Sequence, residues 1–154
     1  MRNNGSVPVF VKSILINAPV TEVFGFHERP DALAVLSPAF PPVRLAARTG
    51  TGIEKGSRIE LKVGFLRWIA LHTAYAKNRL FVDEQVAGPF KKWIHRHEFE
   101  ESGSGTLMTD RIEYELPGGV WVNRLFSWAV DLGLRDMFAH RHRVTQRMCA
   151  RVAA

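Results

Sequence analysis

The spacing of apolar side chains changes once along this chain, and this change constrains the fold more than any other feature. From Val43 to Leu116, apolar and polar residues alternate in short segments separated by turn residues, which is the pattern of half-buried β-strands. From residue 121 to about residue 150, the apolar spacing becomes helical. A sheet with one apolar face needs a cover, and this helix is the only element long enough to provide it. The sequence therefore predicts an α+β fold.

Turn residues such as Gly, Pro, Asn and Ser divide the chain into ten elements. We expect strands over Val7–Ile16, Val43–Thr49, Arg58–Phe65, Trp68–Lys77, Leu80–Ala87, Trp93–Glu101 and Thr106–Leu116, short helices over Thr21–Phe26 and Asp31–Leu36, and a long helix over 121–150. Strands that follow one another with short turns favour an antiparallel meander. We therefore predict a curved seven-stranded antiparallel sheet around one long C-terminal helix, with two short helices after the first strand.

The size and cysteine content fit one domain in a reducing compartment. The chain has 154 residues, of which 46% are apolar and 23% are charged, so we expect one globular domain over residues 1–154. Cys149 is the only cysteine, which excludes a disulfide within the chain. The N-terminus lacks a signal-peptide pattern, and no apolar run approaches the roughly 20 residues of a membrane span. We expect a cytoplasmic protein.

The formal net charge is +6, and five arginines cluster near the C-terminus: Arg135, Arg141, Arg143, Arg147 and Arg151. The simplest interpretation is the solvated face of a helix. Neither a helix-turn-helix pattern, nor zinc-finger spacing, nor a stripe of basic and aromatic residues is present, so we expect no nucleic-acid partner. Weak contact of this arginine-rich end with anionic membranes is an alternative.

Strand alternation places several polar side chains on the inner face of the sheet. In the sixth strand, Trp93, His95, His97 and Phe99 share one face, while the opposite face carries Arg96 and Glu98. Since Arg and Glu are costly to bury, the face with both histidines is expected to point inward. The same reasoning sends Asp110 and Tyr114 of the seventh strand inward. In the fifth strand, this argument does not decide which face points inward, and Asp83 and Gln85 are further candidates for the inner face.

The long helix has one broad apolar stripe in the sequence pattern. It consists of Val122, Leu125, Phe126, Ala129, Leu132, Gly133, Met137, His140, Val144 and Met148. His140 on this stripe follows Asp136 by one helical turn, so the carboxylate of Asp136 is placed to hold the imidazole of His140. We expect the stripe to face the sheet.

Three segments carry a resemblance to a known superfamily. They are Phe81–Phe99 (FVDEQVAGPFKKWIHRHEF), Gly105–Pro117 (GTLMTDRIEYELP) and Phe138–His142 (FAHRH), the last with His140 where an aromatic residue is common. With the order of elements, they resemble the helix-grip fold of the START-like, or SRPBCC, superfamily, which includes the Bet v 1 proteins. They are most similar to a bacterial branch described as ligand-binding or polyketide cyclase/dehydrase-like. The resemblance covers nearly the whole chain.

This resemblance implies a cavity between the sheet and the long helix. We expect the cavity to bind a small hydrophobic or amphipathic organic ligand that is lipid-, polyketide- or aromatic-like. Its wall would contain Phe65, Trp68 and Trp93, and its polar lining would include Asp83, Gln85, His95, His97, Asp110, Tyr114 and His140. The superfamily hosts many activities, so the resemblance does not select a chemistry.

Three interpretations of the inward polar residues stay open. His95, His97 and Asp110 form a self-satisfied network that fixes the strand register, a polar lining for a ligand, or an acid–base pair of a cyclase or dehydratase. His95 or His97 would then be the general base, and Asp110 would orient it. The His-x-His spacing is a weak metal signal, and phosphate-binding or dinucleotide-binding motifs are absent, so we predict neither a metal nor a cofactor.

Overall fold

A computed structural model describes residues 7–150 of the chain. Its elements run in the predicted order: β1 Val9–Ile16, α1 Val20–Glu28, α2 Ala32–Leu36, β2 Val43–Thr49, β3 Arg58–Val63, β4 Leu66–Ala76, β5 Leu80–Ala87, β6 Lys92–Ser102, β7 Gly105–Glu115 and α3 Val120–Ala150. The predicted α+β class and the number of elements are confirmed, and boundaries differ by at most two residues.

The seven strands form one antiparallel sheet in the order β1-β7-β6-β5-β4-β3-β2. Strands β2 to β7 make the predicted meander, and β1 closes the far edge by pairing with β7. Both edges are therefore formed by the strands that flank the two short helices. One register shift lies at the β2 edge, between Leu45 and Ala47, where Ala46 is the extra residue.

Helix α3 is 31 residues long and covers the inner face of the sheet. Its buried side chains are Asn123, Leu134, Phe138, His142, Thr145 and Cys149, which form a stripe with helical spacing from residue 134 onward. Within residues 7–150, none of the helices combines the length and the apolar content that a membrane span requires.

The predicted stripe on α3 was correct only in part: Met137, Val144 and Met148 are partly buried against the core, but the most buried face is centred elsewhere. Leu125, Phe126 and Leu132 are half exposed or more, whereas Leu134 and Phe138 are buried. Apolar residues occur almost all round the first half of α3, so their periodicity alone did not select one face. The second half uses the polar His142 and Thr145 at buried positions, which a hydrophobic pattern cannot detect.

The β3–β4 hairpin also differs from the prediction. Val63 pairs with Leu66, so Gly64 and Phe65 form a two-residue turn in place of the end of a strand. Gly64 has a φ of 59°, a left-handed conformation that glycine adopts readily and that suits such tight hairpins. The side chain of Phe65 is consequently 97% exposed, so it does not belong to a cavity wall.

Two apolar clusters form the core, one toward each end of the inner face. The first surrounds Phe24 of α1, which packs edge-on against Phe81 and Phe99. The second surrounds Phe138 of α3, which packs against Phe10 of β1. Along β6, β7 and α3, the residues between these clusters are polar and buried. The core thus contains a polar layer between two apolar halves.

Candidate functional site

The polar layer contains five side chains, which we call the polar cluster: Asp83, His95, His97, Asp110 and His142. Asp83 lies on β5 opposite His95 on β6, and His97 lies opposite Asp110 on β7. Strand alternation turns all of these side chains toward α3, where His142 meets them. The structure therefore brings together His95, His97 and Asp110, which the strand pattern placed on one face, and it adds the further candidate Asp83 and the unpredicted His142.

Asp110 is the centre of the polar cluster. It is 2% exposed, and its two carboxylate oxygens contact three imidazoles. His95 Nε2 donates to Oδ1 at 2.9 Å and His142 Nε2 donates to Oδ2 at 2.6 Å, while His97 Nδ1 lies 2.9 Å from Oδ1. Burial favours the neutral acid, but the hydrogen bonds from the three histidines outweigh it and hold the pKa of Asp110 well below its usual value. Asp110 is therefore ionised at neutral pH.

Asp83 faces the same two histidines of β6 from the other side. Its Oδ2 lies 3.2 Å from His97 Nε2 and 3.5 Å from His95 Nδ1. Burial opposes ionisation here too, but the hydrogen bond from His97 and the charges of the histidines lower the pKa of Asp83 to about 2. Each of the two imidazoles thus lies between two carboxylates.

The imidazoles of His95 and His97 differ in basicity, although their ring centroids are only 3.7 Å apart, with the rings tilted by 40°. Burial, followed by repulsion from His97, lowers the pKa of His95. Burial also acts against the charged form of His97, but hydrogen bonds to Asp110 and Asp83 outweigh it and raise its pKa. His97 is the imidazole of this pair that holds a second proton more firmly.

A cavity of about 680 Å³ lies beside the polar cluster, enclosed by the sheet, α2 and α3. This volume is in the range of small-molecule sites. Its wall is mostly apolar and includes Leu36, Leu61, Trp68, Trp93, Leu134 and Phe138. Phe40 lines the cavity and is also 86% exposed, so the opening lies at the α2–β2 loop. Asp83, His95 and His97 form part of the polar wall.

Arg141 of α3 also lines this cavity. Its guanidinium carbon lies over the ring of Phe138, 5.5 Å from the centroid. Burial lowers the pKa of Arg141, against the opposing attraction of Asp110 and Asp83. Within residues 7–150, its Nε has no hydrogen-bond partner and no carboxylate lies within ion-pair distance of the guanidinium. Because arginine stays charged in proteins, the cavity contains a cation without a direct counter-ion.

Asp110 and Tyr114, although they point inward as expected, lie behind the cavity wall. The hydroxyl of Tyr114 lies 2.8 Å from Asp131 Oδ1 and 3.0 Å from the carbonyl oxygen of Ser127, two acceptors that share its one proton. Burial and the charge of Asp131 raise the pKa of Tyr114. Its hydroxyl therefore ties β7 to α3 and does not reach the cavity.

Two further candidates have structural contacts away from the cavity wall. Gln85 Nε2 donates to the carbonyl of Phe90, and the amide of Phe90 donates to Gln85 Oε1, which fixes the β5–β6 connection. His140 is only partly buried and does not line the cavity. Within the described part of the chain, no hydrogen bond joins it to Asp136, so the expected pair is not formed.

Sequence reasoning missed Arg141, His142, His27 and His72, which all lie at or beside the cavity. His27 Nδ1 donates to the carbonyl of Val23, and burial lowers its pKa to about 4. The spacing of Phe138, His142, Thr145 and Cys149 is helical and would have marked the true inner stripe. No comparable spacing pattern in the sequence would have predicted that Arg141 lines the cavity.

The predicted arginine face is divided by the structure. Arg135, Arg143 and Arg147 are exposed, but Arg141 lines the cavity, and Arg151 lies outside the described residues. Contact of this end with anionic membranes stays a prediction.

Comparisons with known proteins agree with this architecture. The family model described as "Polyketide cyclase / dehydrase and lipid transport" matches residues 16–143. We found no significantly similar sequence among the curated proteins.

Several solved structures share the fold. The protein TTHA0849 from Thermus thermophilus is 16% identical with a TM-score of 0.72, over 96% of this chain and 100% of that one. A START superfamily protein from Mycobacterium smegmatis is 16% identical with a TM-score of 0.67, over 94% and 98%. A nucleoside-diphosphate sugar epimerase from Corynebacterium glutamicum is 25% identical with a TM-score of 0.72, but the match covers 90% of this chain and only 28% of that one.

The seven-stranded sheet, the long helix and the family match over most of the sequence lead to one conclusion: the chain belongs to the polyketide cyclase/dehydrase and lipid transport family and has the START-like helix-grip fold.

Proposed function

We propose that this protein binds a small, largely apolar organic molecule that carries an acidic oxygen, such as a carboxylate or an enolate, at one end. The observation that carries the proposal is Arg141, a cation without a direct counter-ion in a cavity of about 680 Å³ with mostly apolar walls. An unpaired buried charge is costly, and a ligand oxygen would compensate it.

The rest of the cavity supports the same ligand class. Trp68 and Trp93 pack at right angles with centroids 5.0 Å apart and offer an aromatic wall at one side. His97 lies among the polar lining residues and is the more basic imidazole, so it is a second donor for an acidic oxygen. An apolar body beside a few fixed polar groups is typical of small-molecule sites.

The proposal predicts that Arg141→Gln weakens the binding of acids selectively. We expect 1-anilinonaphthalene-8-sulfonate to bind the wild-type protein with increased fluorescence, and dodecanoic acid to displace it more effectively than dodecanol. In Arg141→Gln, the affinity for dodecanoic acid should fall about 10- to 100-fold, because one charge-assisted hydrogen bond is lost. The affinity for dodecanol should change little.

Arg135→Gln is the matched control, since Arg135 is an exposed arginine on the same helix. It should leave both affinities unchanged. Equal loss in the two variants, or equal affinities of acid and alcohol for the wild-type protein, would remove Arg141 as the anchor of the ligand.

Acid–base catalysis is a second candidate, favoured by the position of His97 between two carboxylates at the cavity wall. Such an imidazole can accept a proton from an enolisable carbon, as a cyclase or dehydratase requires. His97 and His95 would touch the substrate, while Asp110 would orient both rings from behind.

This candidate predicts that the protein accelerates deuterium exchange at the methyl carbon of 2-acetylnaphthalene in D₂O, followed by NMR. His97→Gln should slow the exchange at least 100-fold, which is typical of a lost general base. The affinity for dodecanol, which has no acidic oxygen, should stay within about threefold. Exchange no faster than in buffer would exclude general-base chemistry on this ketone.

A further inference from the structure

We infer that Asp83, His95 and His97 form a binding site for one divalent transition-metal ion at the cavity wall. Their candidate ligand atoms lie within 4.8 Å of one another. Asp83 Oδ2 is 3.2 Å from His97 Nε2 and 3.5 Å from His95 Nδ1. Two ligands of a tetrahedral zinc ion with bonds of about 2.0–2.1 Å are about 3.3 Å apart, so these separations already suit a bound ion.

The hydrogen bonds to Asp110 set the orientation of both imidazoles. His95 Nε2 donates to Asp110 Oδ1, and His97 Nδ1 lies 2.9 Å from the same oxygen. A neutral imidazole has one N–H and one lone pair. With one nitrogen of each ring directed at Asp110, the other nitrogen of each ring faces Asp83 Oδ2. In the metal-free protein, His97 Nε2 donates a hydrogen bond to this oxygen at 3.2 Å, and a cation would take the place of that proton.

Three electron-rich atoms therefore converge on one space, and this arrangement requires a positive charge between them. Without a metal ion, an extra proton on one imidazole supplies this positive charge, but it does so at only one of the two nitrogens. A divalent cation would satisfy both nitrogens and the carboxylate oxygen together. Two imidazoles and one carboxylate are a donor set typical of zinc, iron or cobalt.

Asp110 completes the arrangement as a positioning residue. In metal sites, the ligating histidine commonly donates its other N–H to a carboxylate, which fixes the ring and raises its basicity. Asp110 has this position for both rings, and His142 holds its second oxygen at 2.6 Å. Because the three ligand residues line the cavity, the remaining coordination positions would face it.

The His-x-His spacing alone did not predict a metal, and the additional information comes from neighbouring strands. Asp83 reaches the histidines from β5 and Asp110 reaches them from β7. The inference does not depend on the proposed organic ligand, since it rests on the three side chains and needs no occupant in the rest of the cavity.

The test is titration of the chelator-treated, full-length protein with Co²⁺ and with Zn²⁺. We expect one equivalent of Co²⁺ to bind and to give the visible absorption of a low-symmetry nitrogen and oxygen site. Zn²⁺ should displace it. Asp83→Asn should weaken Zn²⁺ binding about 100-fold or more, and Asp110→Asn about 10- to 100-fold with the form of the Co²⁺ spectrum preserved. His140→Gln is the control and should bind both ions like the wild-type protein.

A second measurement avoids substitutions that perturb folding. In ¹⁵N NMR spectra of the wild-type imidazoles, Zn²⁺ should shift Nδ1 of His95 and Nε2 of His97. The inference is overturned if Zn²⁺ shifts only imidazoles outside the polar cluster, such as His140, or if folded Asp83→Asn binds as tightly as the wild-type protein. Displacement of 1-anilinonaphthalene-8-sulfonate by dodecanoic acid from the same metal-free sample tests the ligand proposal separately, so failure of one does not imply failure of the other.

Discussion

Replacing Asp110 with asparagine is expected to lower the free energy of unfolding by about 3–5 kcal/mol, which is the usual effect of removing one partner from a buried ionic network. The carboxylate of Asp110 is buried and contacts His95, His97 and His142 at 2.6–2.9 Å. An asparagine offers one acceptor oxygen and turns an NH₂ group toward N–H donors. At least one of the three imidazoles would therefore lose its hydrogen-bond acceptor, unless a water molecule replaces it.

Urea denaturation at pH 7 measures this loss, and the melting temperature should fall by roughly 10 °C for a chain of this size. Asp136→Asn is the control, because this aspartate is exposed on α3 and makes no hydrogen bond within the described residues. A surface change of this kind should alter stability by less than about 0.5 kcal/mol. If Asp110→Asn is as stable as Asp136→Asn, the polar cluster does not hold the core together, and Asp110 serves the site alone.

Lowering the pH from about 6.5 to 4 is expected to destabilise the protein, with His27 as a principal cause. The pKa of His27 falls from 6.5 to about 4 in the folded chain, mainly because its ring is buried, with opposing contributions from the Val23 carbonyl and Asp110. Below pH 6.5, the unfolded chain binds a proton at His27 that the folded chain refuses until about pH 4. Stability is therefore complete above pH 6.5 and decreases as the pH falls, by about 3 kcal/mol in total for this residue.

Urea denaturation at pH 7, 6, 5 and 4 tests this expectation in the wild-type protein and in His27→Phe. The phenyl ring keeps the packing against Phe81 and Phe99 and does not titrate. The variant should lose less stability between pH 7 and pH 4. Some dependence should remain, since the pKa values of His72 and His95 are also lowered, whereas the raised pKa of His97 acts in the opposite direction. If the free energy of unfolding falls equally with pH in the wild-type protein and in His27→Phe, His27 is not the cause of the pH dependence.

The sheet could be predicted from the sequence because its strands carry unambiguous markers of their outer face. In β6, Arg96 and Glu98 alternate with His95, His97 and Phe99, and charged side chains do not occupy a core without partners. That contrast placed two histidines inside although histidine itself has no strong preference. The same contrast in β7 placed Asp110 inside, where it is stable only because the histidines surround it.

The helix and the cavity could be predicted only in part. The first half of α3 is apolar on several faces, so its orientation depends on the sheet and not on its own pattern. Arg141 and His142 are adjacent in sequence, yet both face the site, one at the cavity and one at Asp110. The position of Arg141 results from contacts made across the fold and has no signal in the local sequence, whereas His142 shares the helical spacing of Phe138 and Cys149.

The irregular edge of the sheet at β2 limits how copies of this protein can associate. Strand addition needs a regular row of free backbone groups, and open sheet edges otherwise invite it. At β2, the extra residue Ala46 interrupts that row, Pro41 and Pro42 precede the strand without amide hydrogens, and the exposed Arg44 adds positive charge. A second chain therefore cannot extend the sheet at this edge through a regular row of backbone hydrogen bonds. The β2 edge thus disfavours aggregation by edge-to-edge strand pairing.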